Sequence, residues 1–290
     1  MTSMEIKHRN LYTTVYRDFI DPRFPTKTGI FYFFPSCKIF LVFPVISVTF
    51  QLLKEPTLEK MMNVKRFVAC VLILGSGLYG QTGNWVSLFD GETLDGWSVH
   101  SGTATYHVEE GAIVGTTVTG SPNTFLCTDR EYHDFILEFE VMVDPELNSG
   151  VQFRSKIASR EMAFIFRDND GEPQTRKIPQ DRVYGYQVEI ATEKNGTSGG
   201  VYDEARRAFF LDDVRSDPEA SQAFKDGQWN AYRIECRGNR IRTSVNGVPC
   251  ADFQDDLTSE GVIGLQVHGI GNNRNTYQVR WRNIRILELE

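Results

Sequence analysis

From about Asn84 to the end of the chain, hydrophobic and polar positions alternate in short runs separated by Gly, Asn and Asp. That is the pattern of β-strands joined by turns. The clearest run is Phe135 to Val143, with Phe135, Leu137, Phe139, Val141 and Val143 on one side and Glu138 and Glu140 on the other. The first side predicts core and the second solvent. Trp229 to Arg237, Arg240 to Val245 and Val248 to Phe253 read as a meander turning at Gly238-Asn239 and Asn246-Gly247. Only Asp217 to Phe224 has a helical character, with Asp217 as N-cap and Pro218 in the first turn. The charged stretch Ser155 to Lys177 ends near Pro173 and Pro179 and predicts a long excursion between strands, a lid or rim. With this many short strands between residues 84 and 290, the fold class is all-β, a two-sheet antiparallel sandwich or jelly roll.

The sequence before Asn84 is of another kind. Met61-Met62-Asn63-Val64-Lys65-Arg66 precedes the apolar run Phe67 to Leu74 and a small-residue exit, Gly75 to Gln81. A basic start, a short apolar run and small residues predict a signal peptide over 61–80, and hence an exported, periplasmic or extracellular protein. A signal of this type starts a protein, so residues 1–60 read as an over-extended start, the alternative being a membrane-anchoring segment. Ile39 to Phe50 is apolar but short and interrupted by Pro44, which argues against a membrane span. The apolar run continues past Cys70, which disfavours a lipid attachment there.

The chain carries a net charge of −7, and its first eighty residues are basic, so the remainder is more acidic still. Past the leader the lysines are Lys156, Lys177, Lys194 and Lys225. Such a body repels phosphate backbones, which disfavours nucleic acid and favours a neutral polar substrate. Cys127, Cys236 and Cys250 are too few and too scattered for a disulfide scaffold or a CxxC zinc site. They read as small buried hydrophobes.

Three strand candidates share one pattern. In Val151-Gln152-Phe153-Arg154, Tyr186-Gln187-Val188-Glu189-Ile190 and Leu265-Gln266-Val267-His268, apolar residues alternate with a pair of hydrogen-bonding ones. If the strands share a sheet, its exposed face collects Gln152, Arg154, Gln187, Glu189, Gln266 and His268. An ordinary solvated face would also present Gln, Glu and Arg. Amides, planar charged groups and rings such as Tyr184, Tyr186, Tyr202 and Trp281 suit sugars, whose hydroxyls need donors and acceptors and whose C–H faces stack on rings. Ser198 to Arg207 adds glycine turns, Tyr202, Asp203, Glu204, Arg206 and Arg207. No GxSxG elbow, Walker loop or HExxH occurs.

The segments Trp85 to Trp97, Asn148 to Arg154, Tyr184 to Ile190, Trp229-Asn230, Val245 to Val248, Gly264 to Gly269 and Arg282 to Ile286 resemble, in order, the 3-keto-disaccharide hydrolase domain family. The resemblance spans about Trp85 to Leu289. It implies a concanavalin-like or laminin-G-like jelly roll, export, and activity on glycosides already oxidised at C3. The stretch Ser155 to Lys177 is longer than the family usually shows, and Ala191-Thr192 stands where related sequences often carry an acid.

A C3 ketone acidifies the C2–H, so a base can remove that proton and the aglycone can leave from C1, with water adding afterwards. Such chemistry needs a base, a stabiliser for the enolate oxygen and an acid for the leaving group. Carried onto this chain, His268 or Glu189 is the candidate base, and Arg154 with Gln187 or Gln266 would hold the enolate oxygen. Tyr202 or Glu204 lies near the leaving group, and Gln152 and Arg206 complete the substrate-binding set. A non-catalytic carbohydrate-binding module would use the same face. No cofactor is evident; a calcium-stabilised adhesion domain would call on Asp252, Asp255 and Asp256, which otherwise read as a solvated acidic turn.

Overall fold

A computed structural model of the chain describes residues 84–168 and 170–289, together with the short antiparallel pair β1 (Phe40–Val42) and β2 (Ser47–Thr49). The chain divides into two units, Met1–Gln81 and Thr82–Glu290. The signal-peptide and start-site expectations lie outside the described residues. Among the described residues no helix is long and apolar enough to cross a membrane.

The second unit is a sandwich of two antiparallel sheets. One has seven strands: β14 (Phe210–Asp212), β13 (Val201–Glu204), β12 (Val183–Ile190), β9 (Ser149–Ile157), β18 (Val262–Val267), β7 (Thr124–Thr128) and β4 (Trp97–His100), in that spatial order. The other has eight: β17 (Val248–Gln254), β16 (Arg240–Val245), β15 (Asn230–Arg237), β8 (Phe135–Val143), β19 (Gln278–Glu288), β6 (Ala112–Thr116) and β5 (Thr105–Glu109), with β3 (Val86–Ser87) also paired to β19. The predicted alternation of Phe135 to Val143 holds residue for residue, its five apolar side chains buried between the sheets. Outside, Glu138 pairs with Arg233 and Arg285, and Glu140 with Arg282.

The core between the sheets includes two stacked pairs, Phe139 on Tyr232 at 5.2 Å and Phe153 on Tyr186 at 5.6 Å. Cys127 and Cys236 are buried and unbridged, as expected of small hydrophobes. The meander turns as predicted: Asn246 and Gly247 sit at φ 51° and 82°, the left-handed pair that a two-residue hairpin needs.

One expectation is corrected. Asp217 to Phe224 is no helix but a 3-10 turn over Ala220–Gln222, following another over Val214–Ser216. Asp217 still caps, accepting from the amides of Glu219 and Ala220, but the segment is too short to propagate an α-helix. The stretch Ser155 to Lys177 is an excursion between β9 and β12, as expected, and contains the end of β9 and a hairpin of β10 (Met162–Arg167) and β11 (Pro173–Ile178).

This excursion begins at two irregularities. Register shifts interrupt β9 and β12, where Arg154 (φ 46°) and Gly185 (φ 132°) adopt left-handed backbone. Beyond them the chain crosses the outer face of the seven-stranded sheet. Val183 and Ile157 pack on Phe125, Cys127 and Val262, which point outward from β7 and β18. The arm docks at the far edge of the sheet. There Asp181 faces His100 Nδ1 at 2.6 Å and accepts from the Ser101 amide at 2.9 Å, and the Val183 amide donates to Ser101 Oγ at 2.8 Å.

Candidate functional site

The outer face of the seven-stranded sheet carries the predicted amides. Tyr202, Gln187, Gln152 and Gly264 stand opposite one another on β13, β12, β9 and β18, and Gln266 faces Gly150 one step along. Gln152 Nε2 and Gln266 Nε2 both donate to Gln187 Oε1, at 2.8 and 2.9 Å, and Ser155 Oγ donates to Gln152 Oε1 at 2.6 Å. Gln187 Nε2 donates in turn to Glu189 Oε2 at 3.2 Å. Gly150 makes room for this junction, since a Cβ there would come within 2.5 Å of Gln187 Cδ.

The face was expected to be exposed, and this is corrected. Gln152, Gln187 and Gln266 are all buried, at 0%, 2% and 0% exposure. Buried amides need partners, and these three are largely satisfied by one another, Gln266 Oε1 excepted, so they order the sheet face beside Glu189 rather than meet solvent.

Glu189 is different because it remains partly accessible. Asn148 Nδ2 donates to its Oε1 at 2.6 Å, and Gln187 holds the other oxygen. Burial raises its pKa to about 7, helped by the negative charge of Glu204 and opposed by these two hydrogen bonds. A carboxyl that titrates near neutrality can both take and return a proton.

Glu204 is buried and pairs with Arg182, and its Oε1 also accepts from Asn123 Nδ2 at 3.2 Å. The Arg182 guanidinium lies over the Phe125 ring, 5.6 Å from its centroid. The half-buried Tyr202 packs edge-on against Phe210 at 5.3 Å, and burial with the nearby Glu204 charge raises its phenol pKa. The two carboxyls thus stand in contrasting surroundings, Glu204 paired with a cation and Glu189 desolvated.

His268 follows the end of β18, where its Nδ1 lies 2.8 Å from the Gly269 carbonyl. It makes no hydrogen bond to the amide chain or to Glu189 among the described residues. The Gly269 amide donates to Asn123 Oδ1 at 2.9 Å, which ties this loop to the residue just before β7.

Arg154 does not share the face. The left-handed residue at the bulge throws its side chain out of the alternation, and Ser155 takes the place beside Gln152. Fully buried, Arg154 donates to the carbonyls of His133 and Gly238 and to Asp134, at 2.6 to 2.7 Å. Arg206 is also turned away. It bonds Asp203, stacks 4.8 Å from the Tyr186 ring centroid, and belongs to a knot in which Arg207 joins Asp203 to Asp255. Tyr186 and Trp281 are core residues with no exposed ring.

Among the proposed calcium ligands, Asp252 is held by Arg240 and Asp255 by Arg207 and Tyr186. No group of three or more His, Cys, Asp or Glu side chains among the described residues is arranged to hold a metal ion.

Sequence reasoning passed over Asn148, Asn123 and Arg182 as site residues. Asn148 opened a recognised motif but has the composition of a turn, and Arg182 lay beside the charged excursion. The role of Arg182 depends on the arm folding back onto the sheet, which no strand pattern encodes.

A family model described as the 3-keto-alpha-glucoside-1,2-lyase-like domain matches residues 84–287. The chain belongs to this family. Membership in the 3-keto-alpha-glucoside-1,2-lyase-like domains makes the unit a carbohydrate-related one. No curated protein matches the chain. Among solved structures, a candidate glycosyl hydrolase from Parabacteroides distasonis is 18% identical, with a TM-score of 0.46 over 72% of this chain and 94% of that one. The carbohydrate-binding module CBM66 from Bacillus subtilis is 16% identical, with a TM-score of 0.43 over 67% of this chain and 96% of that one.

Proposed function

We propose that this domain is an enzyme of exported proteins that cleaves 3-keto-glycosides by removing the C2 proton and expelling the aglycone from C1. The observation that carries the reading is Glu189, a partly accessible carboxyl held at both oxygens by side-chain amides, with a pKa near neutrality. The description of the family supports the choice of substrate class.

In this mechanism ionised Glu189 takes the proton from C2, and the C–H electron pair moves into the C2–C3 bond while the ketone becomes an enolate. Collapse of the enolate restores the C3 ketone, forms the C1–C2 double bond and breaks the bond from C1 to the aglycone oxygen. That oxygen picks up a proton from Tyr202 or from solvent near Glu204. Water then adds across the double bond to give the free 3-keto sugar. With Arg154 turned away, Arg182, held in place by Glu204 and Asn123, is the cation assigned to the enolate oxygen. The buried Gln152, Gln187 and Gln266 keep Glu189 aimed. His268 is not required as base.

Incubating the purified protein with a chromogenic 3-keto-glucoside and following aglycone release tests this reading. Release that is lost in Glu189→Gln supports it. Retention of sugar binding with no release would instead make the domain a carbohydrate-binding module.

A further inference from the structure

Beside Glu204 lies a cavity of about 670 Å³, walled by the arm on one side and by loops at the end of the sheet on the other. The arm supplies Arg176, Lys177 and Arg182, and Ser101, Ser121 and Asn123 are among the groups opposite. Among the described residues no carboxylate and no aromatic ring lines it, although the chain as a whole carries a net charge of −7. Arg182 is paired with Glu204 and Lys177 with Glu161 at 2.8 Å, and Asp181 turns to His100 and the Ser101 amide. Arg176 has no carboxylate within ion-pair distance among the described residues. Its guanidinium lies 6.0 Å from the centroid of the Phe166 ring, and its charge is felt at Tyr202.

We infer that this cavity is a subsite for an anionic sugar residue on the leaving-group side of the substrate. The inference rests on reading the groove as a sugar site and adds the chemistry of the aglycone. A guanidinium presents a planar fork of donors that matches a carboxylate or sulfate, and an uncompensated one at a cavity wall attracts such a group. Without a ring in the wall, a flat aromatic aglycone has nothing to stack on. Hydroxyls of a second sugar can instead be met by the exposed Gln180 at the wall, since the side chains of Ser101, Ser121 and Asn123 are already hydrogen-bonded within the protein. The long arm, which supplies all three cations, is thereby a specificity element.

The test is calorimetric titration of the full chain with two unoxidised disaccharides, one ending in glucose and one in glucuronate. At about 0.05 M salt the uronate should bind about fivefold or more tightly, and raising salt to about 0.5 M should shrink the difference. The exposed substitutions Arg176→Gln and Lys177→Gln together should bring the ratio close to one. Equal affinities for the two sugars, or a preference that neither salt nor the substitutions alter, would overturn the inference. These ligands need no turnover, so the two readings can fail separately. Uronate preference without cleavage of 3-keto-glycosides leaves the subsite and removes the chemistry, and cleavage without preference does the reverse.

Discussion

The Asn148 side-chain amide donates to Glu189 Oε1 over 2.6 Å, from the turn that leads into the neighbouring strand. This bond stabilises the ionised form of a carboxylate that burial otherwise pushes toward neutrality. The balance between the two sets the pH range over which Glu189 can act as a base.

Replacing Asn148 with Ala should therefore raise the Glu189 pKa further. The expected result is a pH–rate profile for kcat/KM whose acid limb moves up from about 7 by about one unit, with the plateau rate largely kept. A purely structural role would lower the whole profile without moving the limb.

Glu189→Gln should reduce kcat by a factor of about 10² to 10⁴, the usual range for loss of a general base. It should also change stability in a pH-dependent way. The folded pKa is about 7 against an ordinary 4.5, so folding takes up a proton between those values. Stability is therefore full below about 4.5 and falls as pH rises through about 7. Glu189→Gln should remove that fall, stabilising the protein at pH 8 by something on the order of 2 kcal/mol and leaving it little changed at pH 4. Thermal melts of both proteins at the two pH values check this.

Much of the sandwich is legible in the sequence because one side of each sheet is packed against the other, and burial imposes strict alternation. Phe135 to Val143 and the Asn246-Gly247 turn are read directly. The groove is only partly legible. Gln152, Gln187, Glu189 and Gln266 do converge, because their strands are neighbours and their apolar partners point into one core. Arg154 fails since a single left-handed residue resets the alternation, and period-2 reading has no means of placing a bulge. The burial of the three glutamines was equally hidden, because period-2 alternation says which side of a strand a residue takes and not what surrounds it there.

Arg154 is accordingly expected to matter for folding and not for chemistry. Arg154→Met should destabilise the protein by about 3 kcal/mol, since it leaves Asp134 and two backbone carbonyls without their buried partner. At a temperature where the variant is folded, KM and kcat should stay within about threefold of the parent. Denaturant titration beside steady-state kinetics separates the two effects.

Gly150→Ala probes the amide junction from the backbone. The added methyl would collide with the Gln187 side chain, which is held on both sides by Gln152 and Gln266. The expected outcome is a loss of about 1 to 3 kcal/mol in stability together with a fall in kcat, as Gln187 is pushed from Glu189. Gly264→Ala, whose Cβ would first meet Cys127 Sγ at 3.0 Å, should be milder on both counts.

The central claim is that Glu189 removes the C2 proton of a 3-keto-glycoside. It is tested most directly by comparing aglycone release from a 3-keto-glucoside carrying hydrogen or deuterium at C2. A several-fold slower release from the deuterated substrate, with both rates lost in Glu189→Gln, is the expected result. Equal rates with no exchange of the C2 position into solvent, or no release from either substrate, would contradict it.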